Sequence, residues 1–142
     1  EIGSGLVGSE MCIRDRDEHI AHHRHVHALY EQAFTNVEGI TLKSNPDERF
    51  NANYWLSTIL INPEKTGTDY EKVRVALDQK GIETRPLWKP MHLQPVYKNN
   101  PCYVNGVSEK LFNQGLCIPS GPWVTDEDVA YIVEQIKECC NR

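Results

Sequence analysis

Arg85, Trp88, Lys89, His92, Gln94 and Tyr97 all lie within one stretch, GIETRPLWKPMHLQPVY, from Gly81 to Tyr97. The stretch is stiffened by Pro86, Pro90 and Pro95. Proline fixes φ and removes a backbone donor, so this segment is neither a helix interior nor a central strand. A rigid loop that gathers aromatic, cationic and imidazole groups is suited to presenting them to a ligand. Arg85 carries a fork that fits a phosphate or carboxylate, or it pairs internally with Glu83 or Glu109. His92 either contacts substrate or donates to a backbone carbonyl. Lys89 is most simply a solvated charge.

A second cluster, HIAHHRHVH, runs from His19 to His27. His19, His23 and His27 are spaced i, i+4, i+8 and fall on one helical face. Such spacing can chelate zinc. The sequence supplies no second ligand cluster and no HExxH, so an exposed, partly protonated helix face is the simpler expectation. Neither GxGxxG nor GxxxxGK[ST] is present, and no GxSxG elbow appears. By residue chemistry alone the chain binds or shapes a site, with no nucleophile–base pair of its own.

The elements that must position these groups follow from periodicity. Residues 17–37 carry a helical apolar stripe through Ile20, Val26, Leu29, Tyr30, Ala33 and Phe34, stopped by Gly39. Ile40–Leu42 reads as a short strand. Tyr54–Ile61 is apolar and β-branched at nearly every position, which predicts a central strand buried on both faces. Pro63 and Gly67 end it. Thr68-x-x-Glu71 reads as a capping box for a helix that Gly81 closes, and Ile82–Thr84 returns as strand. Beyond the proline-rich loop come a helix over Ser108–Gln114, stopped at Gly115, and a strand over Leu116–Ile118. A last helix opens at a Thr125-x-x-Asp128 box, with Val129, Ile132, Val133 and Ile136 inward. The order α-β-β-α-β-loop-α-β-α describes an α+β (α/β sandwich) domain with a small mixed sheet.

The 142 residues are 39% hydrophobic and 25% charged, which suits one globular domain. The net charge of -5, without a Lys/Arg run, argues against nucleic acid and membrane surfaces as partners. No apolar run approaches the ~20 residues of a membrane span, and no secretory signal pattern opens the chain. Five cysteines, an odd number with no CxxC pair, suit reduced thiols in a cytoplasmic protein. Cys139 and Cys140 are read as ordinary residues near the end of a helix rather than a redox pair. Residues 1–16, EIGSGLVGSEMCIRDR, have no clean period and look like translated sequencing-adaptor read-through. They are expected to be a disordered, non-native leader to a domain over 17–142.

From Asp17 onward the chain resembles the C-terminal small domain of the DegT/DnrJ/StrS-type, pyridoxal phosphate-dependent nucleotide-sugar aminotransferases of fold-type I. The resemblance is carried by Asn53-Tyr54-Trp55, by Gly81 through Pro95, and by Leu111-Phe112 with Gly115 through Gly121. It continues in Thr125 and in 128–136. It implies an enzyme that moves an amino group, usually from glutamate, onto a nucleotide-linked keto-sugar. It further implies a homodimer, with pyridoxal 5'-phosphate held as a Schiff base by a lysine of the large domain. No lysine here, Lys89 included, matches that lysine's motif. The resemblance therefore implies no catalytic and no cofactor-binding residues in this chain. It makes His92 the leading substrate contact, followed by Arg85, Trp88, Tyr97 and Lys89. Two rival readings stand beside it: a free-standing nucleotide-sugar-binding module that uses the Arg85–Tyr97 loop, and a metal-binding domain that uses the histidine face of His19, His23 and His27.

Overall fold

The computed structural model describes residues 15–140. The expected leader therefore lies almost wholly outside the described residues. Helix α1 (Arg16–Phe34) leads into strand β1 (Ile40–Leu42) and strand β2 (Ser57–Ile61). A one-turn helix α2 (Pro63–Thr66) precedes helix α3 (Tyr70–Asp78) and the two-residue strand β3 (Arg85–Pro86). Two 3-10 turns, Met91–Leu93 and Pro95–Tyr97, punctuate the loop before helix α4 (Val107–Gln114). Strand β4 (Gly115–Ile118) and helix α5 (Asp126–Cys140) complete the order.

The four strands form one sheet in the order β1-β2-β4-β3. Each pairing is antiparallel, with Ile40 opposite Ile61, Ile59 opposite Leu116, and Arg85 opposite Cys117. The α+β class holds, and the sheet is antiparallel rather than mixed. Its inner face meets α1, α3 and α5 in one core. Val26, Tyr30 and Phe34 of α1 join Ile59, Ile61, Val73, Leu77, Leu116, Ile118, Ile132 and Ile136 there. Removing these side chains from water is the main favourable contribution to the fold.

Strand β2 is an inner strand as expected, but shorter and buried in alternation. Ser57, Ile59 and Ile61 are buried while Thr58 and Leu60 are half-buried. It cannot start at Tyr54, because Tyr54 sits at φ 53, outside extended space. The strand expected at Ile82–Thr84 forms instead at Arg85–Pro86. Residues 79–82 are occupied in closing α3: the Gly81 N–H donates to Asp78 O (3.0 Å) and the Ile82 N–H to Leu77 O (2.9 Å). That paired closure needs a left-handed residue, which Gly81 supplies at φ 75. The α3 cap lies one residue later than expected. Asp69, not Thr68, accepts from the Lys72 N–H at 2.9 Å. The Thr125–Asp128 box is present reciprocally, at 2.9 Å from Thr125 N–H to Asp128 and 3.1 Å from Asp128 N–H to the Thr125 hydroxyl.

Gly115 does more than stop α4. A Cβ built there would lie 2.1 Å from Leu87 Cδ1 and 2.7 Å from the Leu111 carbonyl oxygen. Its backbone is extended, so the constraint is space rather than dihedral. The close approach lets the proline-rich loop, through Leu87, lie directly on β4. Gly115→Ala is expected to cost about 1–3 kcal/mol by overpacking, measured as a lower urea midpoint at unchanged slope.

Candidate functional site

The loop splits the predicted site residues into two groups. Arg85, Pro86, Leu87 and Trp88 line an open groove of about 940 Å³ between the β3 edge and α5. His92, Lys89 and Tyr97 lie farther along and do not line it. The groove gathers three tryptophans: Trp55, Trp88 and Trp123, with Tyr131 and Ile132 of α5 at its wall. They are 60%, 69% and 88% exposed, so the groove is rimmed by large apolar rings that nothing among the described residues covers. Trp55 and Trp88 approach with ring centroids 6.3 Å apart. Trp123 escaped prediction, although an aromatic residue in a Pro/Gly turn just ahead of a capping box is a readable signal.

Arg85 takes the internal option. Its Nε donates to Glu83 Oε1 at 2.9 Å, and a terminal nitrogen reaches the same oxygen. Both side chains are well exposed, so a competing anion can exchange for Glu83. Lys80 at the groove's end donates to Glu138 at 2.8 Å and contacts Gln135. The bond to Glu138 raises the Lys80 pKa and keeps its amine protonated. His92 is mostly buried, with Nε2 3.6 Å from Glu109 Oε2 and no hydrogen-bond partner for that nitrogen. Lys89 is exposed, and its carbonyl accepts from the Gln94 amide at 3.0 Å. Tyr97 sits on the second 3-10 turn at 37% exposure.

The α1 histidines serve the turn that carries Trp123. His23 Nδ1 lies 2.6 Å from Ser120 O and His22 Nε2 3.3 Å from Gly121 O. Tyr30 donates to Pro119 O at 2.8 Å, and His25 pairs with Asp126 at 2.8 Å. Burial pushes the Tyr30 pKa well up, so it remains a donor at any ordinary pH. The i, i+4, i+8 trio is thus divided between solvent at His19, a carbonyl at His23 and the interior at His27. Among the described residues no three His, Cys, Asp or Glu converge as metal ligands.

His27 is buried between α1 and the sheet, with Nδ1 3.3 Å from Ser57 Oγ and Nε2 3.1 Å from Ser44 Oγ. Ser44 spends its proton on Glu31 Oε1 at 2.9 Å. Nε2 must therefore donate to Ser44, which leaves Nδ1 to accept from Ser57 in the neutral ring. Acid, serine, imidazole and serine fall in a row, but Ser57 is fully buried and meets no substrate.

The DegT/DnrJ/EryC1/StrS aminotransferase family matches residues 12–137. The chain belongs to this family. GDP-perosamine synthase of Escherichia coli O157:H7 is 29% identical over 126 residues, covering 89% of this chain and 33% of the relative. EpsN of Bacillus subtilis (strain 168) is 29% identical over 136 residues, covering 93% and 33%. The solved structure of DesI with its TDP-sugar product superposes with a TM-score of 0.82 at 23% identity, covering 92% of this chain and 33% of that one. DesV of S. venezuelae, in complex with a ketimine intermediate, superposes at 0.77 and 20% identity, covering 94% and 35%. These superpositions establish the shared fold. The chain spans about a third of the length of the relatives it matches.

Members of the family are pyridoxal phosphate-dependent sugar aminotransferases, and the residues described here do not fit that cofactor by themselves. A Schiff base needs a neutral lysine amine, and Lys80, the lysine on the groove, is held as an ammonium by Glu138. The cofactor's phosphate needs several converging donors, and among the described residues Arg85 is the one arginine that lines the groove.

His27 also predicts a pH dependence. Desolvation lowers its pKa below 6.5, opposed by Glu31. The unfolded chain then binds more protons than the folded one. The stabilisation is complete above pH 6.5 and is lost as pH falls from there to the lowered folded value. Urea midpoints across this window are expected to fall in the parent chain, and His27→Gln to flatten that slope.

Proposed function

We propose that this chain is the small-domain portion, over 17–142, of a pyridoxal phosphate-dependent aminotransferase acting on a nucleotide-linked keto-sugar. The amino donor is glutamate, and the working enzyme is a cytoplasmic homodimer. The cofactor and its lysine belong to the part of the relatives that this chain does not span. The observation that carries the reading is the gathering of Arg85, Trp88, Trp55 and Trp123 on one open groove. The names of the relatives support the substrate class: one makes GDP-perosamine and one was solved with a TDP-sugar product.

In this reading the chain binds and orients. Flat indole faces receive a planar base or the apolar face of a sugar ring. Arg85 exchanges Glu83 for a phosphate oxygen, a trade its forked donors favour. His92 has its Nε2 buried beside Glu109 with no hydrogen-bond partner, and it donates to a sugar hydroxyl after a shift of the loop that exposes this nitrogen. The exposed side chains of Met91, Val96, Tyr103 and Val104 along the loop form the face that the rest of the enzyme buries.

Two measurements test this. Pyridoxal phosphate with borohydride is expected to leave every lysine of the 142-residue chain without stoichiometric modification. One fully modified lysine would place the Schiff base here and overturn the division of labour. In the full-length enzyme, Trp88→Ala is expected to remove about 1–3 kcal/mol of stacking, seen as a KM for nucleotide sugar raised about fivefold or more. An unchanged KM would remove the groove from substrate binding. Tight calorimetric binding of a GDP- or TDP-sugar to the chain alone would instead favour the free-standing binding module.

A further inference from the structure

Tyr54 is the single non-glycine residue with positive φ among the described residues, at 53°. Tyrosine gains nothing from that backbone by itself; its Cβ crowds the following carbonyl there. Such a conformation persists only where the surroundings hold it, and it clusters at functional sites. Two contacts hold this one. The Tyr54 ring stacks on His27 with centroids 3.6 Å apart and planes 9° from parallel. The Tyr54 hydroxyl accepts from the Asn45 N–H at 3.1 Å.

The His27 ring is itself fixed. Hydrogen bonds to Ser57 on β2 and Ser44 after β1 pin both nitrogens, so the ring cannot rotate away from the tyrosine. The residue immediately after Tyr54 is Trp55, whose N–H is bound by the Asn53 side chain at 3.2 Å. Trp55 then stands on the groove 6.3 Å from Trp88. The left-handed residue and the bend that follows it lie between the half-buried Tyr54 ring and the exposed indole.

We propose that His27 is a positioning residue for the tryptophan groove: by stacking on Tyr54 it holds residue 54 left-handed and so aims Trp55 at Trp88. The functional weight of this lock rests on the reading of the groove as the substrate surface. The lock itself does not. No sugar, nucleotide or cofactor is needed to observe it.

The test uses the exciton couplet that two indoles at this separation give in circular dichroism, on the full 142-residue chain. Trp55→Phe and Trp88→Phe each abolish the couplet and define it. His27→Gln keeps a polar partner for the serines but removes the ring, and is expected to lose the couplet while the helical signal stays. His27→Phe keeps a stacking face and is expected to retain it. Adding Tyr54→Gly to His27→Gln restores the couplet, because glycine adopts positive φ without a clamp. A folded His27→Gln chain with the parental couplet, or a folded His27→Phe chain without it, overturns the proposal. Should His27→Gln not fold, Tyr54→Ala decides: it keeps a Cβ but removes the stacked ring, so a lost couplet in the folded chain supports the lock and a retained one overturns it. Groove failure is read separately, since it appears as an unchanged KM on Trp88→Ala while the parent chain keeps its couplet.

Discussion

The turn after β4 has to place its carbonyls somewhere. β4 is buried along its whole length, and the chain must leave it to reach the start of α5 without stranding backbone oxygens away from water. Helix α1 resolves this with side chains: Tyr30, His23 and His22 take the carbonyls of Pro119, Ser120 and Gly121 in succession. Ser120 completes the junction by accepting from the Ser57 N–H at 2.7 Å and donating to Ile118 O. One short turn thereby fastens the first helix, the entry of β2 and the exit of β4 to each other. The placement of Trp55 and Trp123, which flank that junction in the chain, depends on it.

This accounts for the histidine-rich face more economically than a metal does. Imidazoles at i and i+1, with a tyrosine seven residues beyond His23, are set to meet a strand of carbonyls crossing the helix. Spacing along one helix shows which side chains share a face. It does not show whether that face meets solvent, an ion or another stretch of chain. The distinction required the partner at residues 119–121, nearly a hundred positions away.

The same boundary separates what could be read in the sequence from what could not. Local chemistry was legible. The Thr125–Asp128 box, the glycine closure at Gly81, the β1 strand and the inward stripe of α5 are each set by neighbours a few residues apart. Errors arose where tertiary contacts overrode local preference. Tyr54, Trp55 and Leu56 have strand-forming side chains, yet a ring stacked from α1 turns the backbone out of β space. Helix α2 is a single turn between Pro63 and Gly67, too short for a period, and is built by Asn62 accepting from the Glu64 N–H. Within the site, Arg85 and Trp88 were legible as a pair on the loop. Their separation from His92 and Tyr97 was not, because those two residues sit on 3-10 turns too short to leave a periodic trace.

The outer edge of the sheet beside the groove is β3, and it is two residues long, exposed, and built from an arginine and a proline. A sheet edge ordinarily offers a row of backbone donors and acceptors on which another strand can be templated. Here the proline has no N–H to offer and the arginine brings charge. The sheet therefore ends at β3, and whatever approaches this side of the molecule must be held by side chains. Strand-by-strand growth through this edge is disfavoured by the same two residues that line the groove.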